Sequence, residues 1–89
     1  MRYKANIIIK LRPSILDPQG KVTRQALQDL GYPQVETVRI GKFMELWVNA
    51  ATEEEANQVV REACEKLLAN PVMENFSYTL EAVETVSDS

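Results

Sequence analysis

The 89-residue chain contains no histidine and one cysteine, Cys64. The first absence removes Ser-His-Asp and Cys-His nucleophile sites and every histidine-ligated metal centre from a single chain. The second removes an internal disulfide and a cysteine-rich zinc site. Glycine is scarce as well, with three in all. Gly20 and Gly41 stand alone, and Gly41-Lys42 lacks the glycine-rich run and the following Ser or Thr of a phosphate-binding loop. Long apolar runs are missing too: Ile7-Ile8-Ile9 ends at Lys10, too short for a signal-peptide core or a membrane span. Together with one reduced cysteine, this predicts a cytoplasmic protein with no membrane partner.

What is present is the balance of a globular protein, 45% hydrophobic and 26% charged. The length admits one hydrophobic core, so a single domain is predicted over 1–84, followed by a polar, frayed tail at 85–89. The net charge of −3 conceals a split, because residues 1–42 carry eight Lys and Arg against Asp17, Asp29 and Glu36, while most acids lie beyond. The bases are scattered singly, with no run and no interleaved aromatics. That pattern reads as solvated faces and partner complementarity rather than nucleic-acid binding.

Residues 3–11 alternate with period two and predict a half-buried strand that Pro13 stops. Asp17-Pro18 begins a helix, with Asp17 as N-cap and Pro18 in the first turn; Val22, Ala26, Leu27 and Leu30 form its apolar stripe, and Gly31 ends it. From Val35 to Ala50 one parity collects Val38, Ile40, Met44, Leu46 and Val48. Either this is one long strand bent at Gly41, or a hairpin with Gly41-Lys42 as its turn, in a ferredoxin-like arrangement. The hairpin would split the apolar set across both faces, so the bent strand is favoured. Thr52 and Glu55 make a capping box for a second helix with Ala56, Val59, Val60, Ala63, Leu67 and Leu68 on one side, ending before Pro71. Phe76 to Ala82 alternates as a last strand. The sum is an α+β fold, a two-layer sandwich of order β-α-β-α-β with both helices on one sheet face. Ile8, Phe43 and Trp47 fall on the other face and are candidates for self-association.

Few residues here offer chemistry. Cys64 sits beside the core stripe of its helix and reads as structural. Asp17, Glu53, Glu54 and Glu55 are accounted for by helix capping and the helix dipole. Met44 and Trp47 belong to strand parity before any cofactor. Arg39 and Lys42 bracket Gly41 where side chains can project away from the core, either as solvated charges or as a surface for an acidic partner. No catalytic residue and no metal ligand set is predicted.

Three segments carry a family likeness: Leu16-Asp17-Pro18-Gln19-Gly20; Val38-Arg39-Ile40-Gly41-Lys42 with Glu45-Leu46; and Cys64 to Val72, which includes Asn70-Pro71. In order and spacing they resemble the PurS family, the small subunit of phosphoribosylformylglycinamidine synthase in purine biosynthesis. The resemblance implies a non-catalytic chain that joins a PurL-type synthase subunit, which uses ATP and Mg, to a PurQ-type glutaminase and assists ammonia transfer between them. It implies no cofactor on this chain, and self-association as a homodimer or homotetramer. Carried over residue by residue, it marks Asp17, Pro18, Gln19, Gly20, Arg39, Gly41, Lys42 and Asn70 as partner contacts. The competing reading is a small-ligand-sensing α+β module.

Overall fold

In the computed structural model, which describes residues 1–83, the elements are β1 (Arg2–Leu11), α1 (Pro18–Asp29), β2 (Lys42–Asn49), α2 (Glu53–Ala63), a π-helical turn (Cys64–Leu68) and β3 (Glu74–Val83). This is the α+β order anticipated from the sequence; the tail anticipated at 85–89 lies outside the described residues. The sheet runs β2-β1-β3 with both pairings antiparallel. β1 takes the middle because its inward residues, Tyr3, Ala5, Ile7 and Ile9, are buried and its backbone is laddered on both sides. Opposite them, Met44, Leu46 and Val48 from β2 and Phe76, Tyr78 and Leu80 from β3 complete the inner face.

No hairpin forms at Gly41-Lys42. β2 pairs with β1 instead, Lys42 opposite Ile9 and Met44 opposite Ile7. The parity argument therefore holds, but the ladder covers only Lys42 onward, and residues 36–41 run on without ladder partners. The reason is local. Pro13 has ended β1, the Ile9 carbonyl lies where a Cβ on Gly41 would sit (2.6 Å), and the Ile40 N–H is taken by the Asp17 carboxylate.

α2 is the second layer. Thr52 Oγ1 accepts from the Glu55 N–H (3.1 Å), and Glu55 Oε2 reaches back to the Ala51 N–H (3.1 Å). Three glutamates in the first turn complement the positive end of the helix dipole. Ala56, Val60 and Cys64 are fully buried against the sheet. At Cys64 the helix widens, and the Ala69 N–H donates to the Cys64 carbonyl five residues back. The wider turn brings Leu68 and Ala69 to the core and leaves Leu67 exposed, which a uniform 3.6-residue period does not anticipate. Phe76 and Tyr78 stack at 6.3 Å, and the Tyr78 hydroxyl bonds Asn57 Oδ1 (2.6 Å), tying β3 to α2.

The placement of α1 departs from the sequence reading. It does not share the sheet face with α2. It leans on the extended segment 35–40, where Gln28 Nε2 donates to the Val35 carbonyl (2.9 Å), and Gly20 is its only buried residue. Val22 and Leu30 are 69% and 74% exposed. α2 already covers the small sheet, and α1 leaves from the end where β1 stops. The result is an arm. The chain extends 51 Å along its longest axis with a radius of gyration of 17.0 Å, where a compact domain of this length has about 12 Å.

Candidate partner-contact site

β1 ends where β2 and β3 begin, so one end of the sheet gathers the loop 12–17, the segment 38–42 and the turn 69–73. The three family-like segments, far apart in the chain, thus converge. Two arginines hold them together. The Arg12 backbone N–H donates to the Met73 carbonyl (2.8 Å), and its Nη2 donates to the Pro71 carbonyl (2.6 Å). The Arg12 carbonyl in turn accepts from Arg39 Nη2 (2.9 Å), while Arg39 Nη1 donates to the Ile15 carbonyl (2.9 Å).

Asp17 is the second knot. Its side chain is buried, with Oδ1 accepting from the Gly20 N–H (2.9 Å) and Oδ2 from the Ile40 N–H (2.7 Å). One oxygen caps α1 and the other fixes the 38–42 segment to it. These donors, Ile40 first and then Gly20, hold the carboxyl below the usual carboxylate range. Gly20 is obligatory beside them: a Cβ there would overlap the Val38 carbonyl oxygen. Pro18 occupies the first turn of α1 and, like Gln19, is exposed.

Lys42 opens β2 and lies 3.6 Å from the Glu74 carboxylate with most of its side chain in solvent. Asn70 Oδ1 accepts from the Val72 N–H (2.9 Å), and the Asn70 N–H donates to Glu74 Oε1 (2.8 Å). Asn70 therefore shapes the turn that Arg12 grips. The structure brings Asp17, Gly20, Arg39, Gly41, Lys42 and Asn70 to one end of the sheet. It gives Asp17, Gly20, Gly41 and Asn70 explicit architectural work, and leaves Pro18, Gln19 and the Lys42 side chain exposed. Arg12 was missed by sequence reasoning, since a single arginine before a proline carries no signal for its long-range bonds.

The outer sheet face sorts the self-association candidates. Ile8 and Phe43 are register partners and 43% and 62% exposed. With Ile40 and Leu11 they line an apolar cleft bounded by Lys10, Arg39 and Lys42. Trp47 shares that face but lies under Lys4, whose Nζ is 5.5 Å from the ring centroid and 2.7 Å from Glu45. The bond to Glu45 raises the Lys4 pKa. Cys64 is buried, and desolvation pushes its thiol up, away from a reactive thiolate. No group of His, Cys, Asp and Glu among the described residues is arranged to hold a metal ion, and no described helix is long and apolar enough to cross a membrane.

Residues 4–82 match the family described as PurS, phosphoribosylformylglycinamidine (FGAM) synthase. The subunit PurS of this synthase from Synechocystis is 45% identical over 82 residues, covering 92% of this chain and 82% of that protein. The Bacillus subtilis subunit is 43% identical over 81 residues, 91% of this chain and 95% of its own. A crystal structure of Bacillus subtilis PurS superposes with a TM-score of 0.79 at 42% identity, covering 90% of this chain and 99% of that one. A chain in the structure of PurLQS from Thermotoga maritima gives 0.82 at 32% identity, covering 91% and 99%.

Proposed function

Because the chain belongs to the PurS family, the small subunit of FGAM synthase in purine biosynthesis, we propose that it is the non-catalytic piece that holds a glutaminase subunit against an ATP-dependent synthase subunit. The Thermotoga maritima relative is found in a PurLQS structure, which supports partners of the PurL and PurQ types. The observation that carries the reading is the convergence of the three family-like segments at one cationic end of the sheet, where Lys42, Pro18 and Gln19 stay exposed. Those segments spend their hydrogen bonds on building a surface rather than a reaction site.

The physical need for such a piece is clear. Ammonia released into neutral water is mostly protonated and loses its nucleophilic lone pair, so transfer requires a sealed path between two active sites. ATP and Mg belong to the synthase subunit in this proposal, and this chain carries no cofactor. Self-association belongs to it as well, because the arm leaves Val22 and Leu30 exposed, and the outer face leaves Ile8 and Phe43 exposed. The test is reconstitution with purified PurL-type and PurQ-type subunits. Glutamine-dependent amidine formation is expected only when all three are mixed; full activity without this chain, or turnover by it alone, overturns the proposal.

A further inference from the structure

Between α1 and residues 36–39 lies a cleft of about 370 Å³ that adjoins the partner-contact end and adds Lys21, Arg24 and Thr37 to it. Lys21, Arg24, Thr37 and Arg39 line it, with Asp17 and Glu36 as its acids. Asp17 is spoken for, each oxygen already accepting a backbone N–H. Lys21 and Arg24 lie three residues apart on α1 and so share one helix face. None of Lys21, Arg24 and Arg39 forms an ion pair with another described residue. The Arg39 guanidinium is held in place by its bonds to the Ile15 and Arg12 carbonyls, which leave further N–H groups on the fork unused. The Arg24 Nε is shielded from solvent and has no hydrogen-bond partner among the described residues.

An N–H shielded from water and without an acceptor is costly, and here it sits on a guanidinium in a cleft that also holds Lys21 and Arg39, which favours an anion. We propose that this cleft binds a phosphate-type dianion, free or carried on a small organic molecule, with Arg24 and Arg39 as forked donors and Lys21 and Thr37 completing the set. Two arginines and a hydroxyl suit tetrahedral oxyanion geometry better than a single carboxylate. The volume exceeds that of phosphate alone, which leaves space for an attached sugar. The site lies at the base of the arm and shares Asp17, Gly20 and Arg39 with the partner-contact end, but anion binding by the chain alone is read without the partner subunits, so its failure would leave the connector proposal standing.

The test titrates the full chain at constant ionic strength, first with inorganic phosphate and then with ribose 5-phosphate, following backbone and arginine Nε–H signals by NMR. Saturable shifts are expected in residues 20–24 and 37–39, with the Arg24 Nε–H moving on binding. Tighter binding of ribose 5-phosphate assigns the site to an organic phosphate; equal binding assigns it to the free ion. Arg24→Gln should weaken binding by about tenfold or more, and Arg61→Gln, a cation on α2, should leave it unchanged. If Arg24→Gln fails to fold, Thr37→Val, which exchanges the hydroxyl for a methyl of similar size, should still weaken binding measurably. Absence of saturation, shifts outside these segments, or equal losses in Arg24→Gln and Arg61→Gln would overturn the inference.

Discussion

Asp17 joins two elements through one side chain, and its behaviour with pH follows from that. Its folded-state pKa is lowered by the N–H groups of Ile40 and Gly20, so the stability it contributes is present above the ordinary carboxylate pKa and disappears as pH falls through the lowered value. Asp17→Asn should therefore melt below the wild type at neutral pH, with the gap closing on acidification, as measured by circular dichroism. A gap that persists undiminished in acid would show that the charge is irrelevant. Gly20 sets a different limit. A methyl group there meets the Val38 backbone oxygen, which cannot swing aside like a side chain. Gly20→Ala should cost about 1–3 kcal/mol in chemical denaturation, and wild-type stability would mean that α1 is not pressed against the 38–42 segment. At this scale sequence reasoning saw Asp17 as a cap but not its second bond, because a contact between residues 23 positions apart leaves no local trace.

Elements differ in how they draw their stability. α2 buries Ala56, Val60 and Cys64 against the sheet, whereas α1 has its cap, its stop at Gly31 and an apolar stripe of which Val22, Ala26 and Leu30 are exposed and Leu27 is half-buried. Periodicity correctly located both helices, and strand parity correctly chose the inner face of β2. Periodicity is silent on which helix wins a sheet face wide enough for one, and that choice decided the position of α1. The π-helical turn was also invisible, since Leu67 and Leu68 both read as stripe residues until the widened turn separates them. An outward stripe has a measurable consequence. The double change Val22→Lys and Leu30→Lys should leave the melting temperature of dilute protein within a few degrees, since neither side chain is buried, and should shift sedimentation toward a smaller species. Unchanged sedimentation would remove α1 from the self-association surface.

For the molecule as a whole, the cationic end of the sheet and the acidic start of α2 lie at opposite ends, because β2 runs from Lys42 away toward Asn49 before α2 begins at Glu53. A partner with an acidic docking surface is thereby oriented as well as attracted. Lys42→Gln tests this more cleanly than a charge reversal, which would set a second carboxylate beside Glu74. Lys42 is mostly in solvent and 3.6 Å from a Glu74 carboxylate that keeps its bond from the Asn70 N–H, so the melting temperature should hold nearly steady. Assembly with the PurL-type and PurQ-type subunits, followed by size-exclusion chromatography, should weaken and become less sensitive to salt. An unaltered elution profile would assign Lys42 to solvent alone.

Arg2 and Val83 are register partners, so the outermost residues of β1 and β3 lie side by side at the end of the sheet away from the arm. A short turn could join them, and the backbone could be opened instead at the exposed Pro33-Gln34 bend. Such a circular permutant keeps every ladder while cutting the only covalent link at the tip of the arm. Its folding would report whether α1 and the extended segment 35–40 need that link or stay together through the bonds of Asp17, Gln28 and Arg39.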